Sequence, residues 1–140
     1  MFGINGFVDK PNEKNYNKAT ISERLSNGEI SSKIHIGRQK KHIEGTKEYF
    51  DKYKDGSNPQ SILTVSINKA QELIDKYAGS GKEGKKDRNG VWTEFITADE
   101  FVGKYSKNGK YYDTKRFSVH YSKKGAHIVP VEPLEEIKNG

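Results

Sequence analysis

From Phe117 to Ser122, large apolar and small polar residues alternate strictly. Phe117, Val119 and Tyr121 fall on one parity, and Ser118, His120 and Ser122 on the other. A strand sends successive side chains to opposite faces, so this parity separates a core face from a polar face. Lys123-Lys124-Gly125 then reads as a turn into residues 126–129, which predicts a β-hairpin. With a two-residue loop at Lys124-Gly125, Ser122 lies opposite His127 and His120 shares that face on the diagonal. A three-residue loop would put His127 on the other face. Taken alone, the pattern fits equally the wet side of an ordinary antiparallel sheet.

The rest of the chain predicts helices first and strands later. Residues 1–18, rich in Asn, Gly and Lys, show no period and read as an arm. Residues 21–25 fit one helical turn closed by Asn27-Gly28. Residues 30–41 alternate Ile34 and Ile36 with Lys33 and His35, a weak strand or ordered loop. Thr46 caps a short helix to about residue 54, with Tyr49, Phe50 and Tyr53 on it and Asp55-Gly56 as its stop. Residues 61–67 read as a strand. Residues 68–78 form the clearest helix: Ala70, Leu73, Ile74 and Tyr77 make its stripe, Asn68 with Gln71 resembles a capping box, and Gly79 ends it. In the Gly/Lys loop over 79–90, Gly81-Lys82 lacks the frame of a phosphate loop. Strands follow over 91–96, 101–106, 111–121 and 126–129, with Asn108-Gly109 as a type I′ turn. The order is that of an α+β domain.

Composition narrows the class. The chain has 140 residues, of which 31% are apolar, and a mean hydropathy of −0.96. One modest core is expected, supplied largely by eight tyrosines and six phenylalanines. Without cysteine there is no disulfide framework and no thiolate zinc site. No apolar run reaches membrane-spanning length, and residues 1–18 show no signal-peptide apolar region. The net charge of +6 is unevenly placed. Between Lys104 and Lys124 seven basic residues face Asp113 alone, and Lys33, Arg38, Lys40 and Lys41 add four more. After Pro130 the chain turns acidic, with Glu132, Glu135 and Glu136 against Lys138. Such basic stretches suit a phosphate-rich partner, though a solvated lysine surface accounts for the charge equally well.

The candidate chemistry rests on four histidines: His35, His42, His120 and His127. Their spacing matches no metal motif, no acidic cluster suggests Mg²⁺, and no elbow motif supports a Ser-His-Asp triad. Acid/base cleavage of RNA asks for less. The substrate supplies its own 2′-hydroxyl nucleophile, and histidine can take or give a proton near neutrality. His42 follows Lys40-Lys41 and precedes the helix start at Thr46, so cations and a helix N-terminus should both lower its pKa.

Three runs carry a family resemblance: residues 38–46 (Arg-Gln-Lys-Lys-His-Ile-Glu-Gly-Thr), residues 63–79 with Ala70-Gln71-Glu72-Leu73 and Tyr77-Ala78-Gly79, and residues 120–130 (His-Tyr-Ser-Lys-Lys-Gly-Ala-His-Ile-Val-Pro). Together they resemble the bacterial toxin 50 family of polymorphic toxins over about residues 31–130, the last run being the most specific. The family pattern often has Thr where this chain has Ala126. Domains of this family are often attached to phage head or portal proteins or to secreted toxins. The resemblance implies a barnase/EndoU/colicin/RelE-like nuclease fold, with N-terminal helices packed on a curved antiparallel sheet. It divides the chain into an arm or short helical extension (1–30), a toxin-like ribonuclease domain (31–130) and an acidic tail (131–140).

The resulting expectation is a metal-independent endoribonuclease. His42 and His127 would serve as base and acid, with Lys41, His120 and Ser122 completing the catalytic group. Arg38, Lys41, Lys123, Lys124, Thr64 and Tyr121 would contact RNA, and Tyr49 or Tyr121 would stack on a base. No metal or cofactor is expected. RNA, tRNA included, and an immunity protein are the expected partners, in the cytoplasm of a host or target bacterial cell and away from membranes. The alternatives are a non-catalytic nucleic-acid-binding phage accessory protein and a structural packaging accessory. Histidines beside cations at two separated sites favour the enzyme, since binding alone needs only lysines and aromatics.

Overall fold

Each helix begins where a side chain satisfies its first free amides. The computed structural model describes residues 19–84 and 86–134, so the arm over 1–18 and the end of the acidic tail lie outside the described residues. Thr20 and Glu23 form a reciprocal capping box that opens α1 (Ile21–Ser26). His35 Nδ1 accepts from the Arg38 amide and opens α2 (Ile36–Lys40), where the sequence suggests only a strand or loop. Thr46 opens α3 (Lys47–Tyr53) as expected. Ser66, not Asn68, opens α4 (Ile67–Tyr77), accepting from the Lys69 amide. Gln71, the supposed capping partner, instead bonds the Ile34 amide (2.9 Å) and the Ser32 carbonyl (3.0 Å).

Among the described residues seven strands follow the early helices or interleave with α4: β1 (Ser61–Leu63), β2 (Lys82–Glu83), β3 (Trp92–Thr97), β4 (Gly103–Lys107), β5 (Lys110–Thr114), β6 (Arg116–Ser122) and β7 (Gly125–Pro130). The fold is α+β. Its strands divide between two antiparallel sheets, ordered β1-β4-β5 and β2-β3-β6-β7. Asn108 (φ 55°) and Gly109 (φ 80°) supply the left-handed pair that a type I′ turn requires. The single strand expected over 111–121 breaks at Lys115, sending β5 and β6 to different sheets. Buried Thr114 makes the corner: its hydroxyl donates to the Val131 carbonyl (2.9 Å) and accepts from the Arg116 amide (3.0 Å).

The apolar parity of β3, β6 and β7 faces the core. Ile96, Phe117, Val119, Tyr121, Ala126 and Ile128 cluster there with Ala70, Leu73 and Ile74 of α4 and Ile21 of α1. Aliphatic residues dominate this core, contrary to the aromatic core that composition suggests. Phe117 and Tyr121 are its buried rings, whereas Phe50 and Phe101 are 67% and 56% exposed.

Within the core lies one carboxylate. Glu94 is 0% exposed and accepts from the Tyr121 hydroxyl (2.5 Å), the Gly79 amide (3.0 Å) and the Gly81 amide (2.8 Å). It ties the loop after α4 to the underside of the sheet. Burial, and then the Glu94 hydrogen bond, hold the Tyr121 phenol above its ordinary pKa, so it remains a neutral donor. Glu94→Ala would leave the buried Tyr121 hydroxyl and the half-buried amides of Gly79 and Gly81 unpaired, at about 1–3 kcal/mol each, with the two amides at the low end of that range. Urea unfolding at pH 7 should show a loss of roughly 3–5 kcal/mol, with Tyr121→Phe costing less. A Glu94→Ala loss under about 1 kcal/mol would mean that water reaches these amides.

Candidate active site

The polar parity of β6 and β7 builds the site. Ser122 pairs with Gly125, Tyr121 with Ala126 and His120 with His127. The two-residue turn is therefore Lys123-Lys124, one position earlier than expected, and His120 rather than Ser122 lies opposite His127. The reason is a chain crossing. Gly125 has φ +137°, and a Cβ there would meet the Lys33 carbonyl at 2.8 Å. The glycine serves the passage of residues 33–35 past the hairpin, not its tip.

On β3, Thr93 pairs with His120 on the same face. From the connection between α2 and α3, His42 stacks against the far side of His127. The result is a row: Thr93, His120, His127, His42. The His120 and His127 ring centroids are 5.0 Å apart at 14°, and those of His127 and His42 are 5.6 Å apart at 10°. Imidazole lone pairs lie in the ring plane, so nearly parallel rings do not converge on one ion. Among the described residues no group of three His, Cys, Asp or Glu side chains is placed to hold a metal.

Each imidazole is held differently. His120 Nε2 meets the Ser118 hydroxyl at 2.9 Å and its Nδ1 meets Thr93 Oγ1 at 3.4 Å. His42 is 9% exposed, and its buried Nδ1 has no hydrogen-bond partner. Its backbone is fixed instead: the amide donates to the Gln39 carbonyl (3.0 Å), and the carbonyl accepts from Leu63 of β1 (2.8 Å). Gln39, fully buried, bonds both the amide and the carbonyl of Ile128. His127 lies between the other two rings and lines an open pocket of about 590 Å³ with Arg38, Lys86, Trp92, Lys123 and Lys124.

The other expected residues separate into those the fold brings here and those it does not. Arg38 Nη1 donates to Ser122 Oγ (3.0 Å), which itself donates to the Gly125 carbonyl and accepts from the Lys124 amide. Ser122 is thus a buttress for the guanidinium and the turn. Lys123 and Lys124 stand exposed at the hairpin tip, and Lys41 is exposed at the end of α2. Thr64 is exposed beyond β1 and is not among the pocket residues. Tyr121 is a correction: it is fully buried on the opposite face of the sheet and offers RNA no ring. Tyr49 lies in a separate cleft of about 530 Å³ with Phe50 and Tyr53.

Over residues 34–130 the chain matches the sequence model of a known family, described as Bacterial toxin 50. The chain belongs to the bacterial toxin 50 family. The matched segment runs from the residue before the α2 cap to the end of β7 and contains all four histidines. No curated protein matches the chain significantly. The protein therefore carries a toxin domain of this family, and among the described residues no helix is long and apolar enough to cross a membrane.

Burial lowers the proton affinity of every imidazole in the toxin domain's histidine row. Burial lowers His42 to about 4, helped by Lys52, His120 and Lys41. Burial lowers His127 to about 3, helped by His120, His42, Arg38 and Lys52. His120 is lowered by burial, with Asp87 opposing. Among the described residues no carboxylate stands in the row itself, and Asp87 offsets the burial of His120 only in part, so the imidazoles are neutral at pH 7. Lys52 of α3 bears on both outer and central rings, yet nothing in the sequence marks it apart from other helix-surface lysines. Lys86 and Trp92 were equally unmarked, because only folding brings the loop over 86–92 beside the hairpin tip.

These depressed values link stability to pH. Unfolded histidine titrates near 6.5, so as pH falls the unfolded chain takes up protons before the folded one does. Stability present above pH 6.5 should therefore be lost progressively as pH falls toward 3. The His42 and His127 shifts together make a loss on the order of a few kcal/mol. Denaturant titrations from pH 7 to 3.5 should show it, and His127→Gln should flatten the curve. A His127→Gln curve parallel to the wild type would place the acid sensitivity elsewhere.

Proposed function

We propose that this toxin domain is a metal-independent endoribonuclease. The observation that supports the reading is the row of three stacked neutral imidazoles, with His127 opening onto a pocket lined by Arg38, Lys86, Lys123 and Lys124. Two histidines and bound cations suffice when the nucleophile belongs to the substrate. A neutral imidazole of the His42–His127 pair takes the proton of a ribose 2′-hydroxyl, and that oxygen attacks the adjacent phosphorus. The bond to the 5′-oxygen breaks, and the other histidine of the pair delivers a proton to this leaving oxygen. The products are a 2′,3′-cyclic phosphate and a 5′-hydroxyl end. Arg38 and the tip lysines, with Lys52, offset the charge that develops on the phosphate oxygens.

The low proton affinity of the free row suits the base, while the acid must be charged. An anionic phosphate beside the row favours imidazolium, so substrate itself raises the proton affinity of the pair. RNA is the substrate class we assign, with the cytoplasm of the affected cell as the place of action. An immunity protein that covers the cationic pocket mouth is the partner a toxin domain of this kind requires.

Purified protein should cleave RNA in the presence of EDTA, and His127→Ala should lose at least about 100-fold in rate. Cleavage that appears only on adding a metal ion would end the metal-independent reading. The pH profiles should also separate. The limb of kcat, which reports the RNA complex, should lie at higher pH than the limb of kcat/KM, which reports the free protein. Coincident limbs would show that phosphate does not bear on the titrating group.

Salt dependence locates the RNA surface. Lys123→Ala and Lys52→Ala should each reduce the slope of log affinity against log salt by roughly one, if each meets one phosphate. His42→Ala should keep RNA affinity and lose cleavage, whereas a plain binding module would be unaffected in everything it does. Unchanged slopes for both lysines would move RNA to another face.

A further inference from the structure

The residue that joins the parts of the histidine row is one with no charge and no reactive group. Gln39 is 0% exposed in a helix of five residues. Its Oε1 accepts from the Ile128 amide (2.8 Å), and its Nε2 donates to the Ile128 carbonyl (2.9 Å). Its own carbonyl accepts from the His42 amide (3.0 Å). Arg38 precedes it in sequence, and His127 precedes Ile128. One side chain therefore ties the helix carrying Arg38, and leading into His42, to the strand carrying His127.

Packing alone does not call for this amide. A methionine would fill a similar volume without two buried polar ends, each of which costs unless it is paired. What an amide adds is geometry. It mimics the N–H and C=O of a neighbouring strand, so it fixes both the distance and the register of α2 along β7. A five-residue helix is too short to hold its place by its own hydrogen bonds.

We propose that Gln39 is a positioning residue of the toxin domain, holding His42 in register with His127 and Arg38 at the pocket. Its catalytic meaning rests on the ribonuclease reading above. Without the clip, α2 is free to shift along β7 and the two imidazoles lose their common alignment. A misplacement of about 1 Å at reacting groups costs on the order of 100-fold in rate.

The test is Gln39→Met, with the imidazole titrations followed by NMR alongside RNA cleavage. The His42 midpoint should rise toward the ordinary value near 6.5 as its packing loosens. His120, held by Ser118 and Thr93, should stay low. On RNA, kcat should fall on the order of 100-fold while KM changes little. An unchanged His42 titration in folded Gln39→Met would overturn the proposal, as would all three imidazoles moving together, the mark of general loosening. If Gln39→Met does not fold, the wild-type side-chain amide protons decide: exchange as slow as that of the β7 backbone supports the clip, and exchange at the rate of an exposed amide overturns it. A wild type inactive on RNA would overturn the ribonuclease reading and the catalytic meaning of the clip, while the titrations still decide the clip itself.

Discussion

The outer edge of β7 is the constraint on which the rest of this domain depends. An edge strand presents unpaired amides and carbonyls that must find partners or water. Here the first outward rung, Ala126, accepts from His35 and donates to Lys33, both at 2.8 Å. The second, Ile128, is answered by Gln39. The third falls on Pro130, which has no amide proton to satisfy. Backbone, side chain and proline thus close three successive rungs by three different means. Closing them lays residues 33–42 along the strand, and that brings His42 to the face where His127 waits.

The same arrangement explains why the imidazoles are neutral at pH 7. Burial is the leading cause of the low proton affinity of His42 and His127. The cations Lys41, Lys52 and Arg38 push the same way. A carboxylate in the row would have undone this by holding a proton in place. The domain's buried carboxylate, Glu94, is instead on the opposite side of the sheet, engaged with Tyr121 and two loop amides. The sheet itself separates the carboxylate that holds the fold from the imidazoles of the site.

Features set by local periodicity were legible in the chain. Alternation placed His120 with Ser118 and away from Val119, the apolar stripe marked α4, and Asn108-Gly109 marked its turn. What escaped was decided by contacts far apart in sequence. The sequence puts the hairpin tip one residue late because Gly125 reads as a turn glycine, although its freedom is used by a crossing segment. The corner at Lys115 depends on Thr114 meeting Val131, and α2 is too short for any period to show. Tyr121 alternates as a core residue should; only its basic neighbours, not its parity, point toward RNA. Gln39 and Lys52 carry no local signal: one looks like a surface amide, the other like a surface lysine.

Gln39 and Ile128 are 89 positions apart, as the bonds between them record. During synthesis the chain emerges from its N-terminal end, so α2 and His42 exist long before the strand they require. Until β7 has left the ribosome and paired with β6, there is no His127 and nothing for Gln39 to grip. Contacts of such separation also form late, because a long loop must close before they repay its entropy. The histidine row is therefore among the last parts of the domain to form. A chain still being made, or cut short before Ile128, lacks the assembled site.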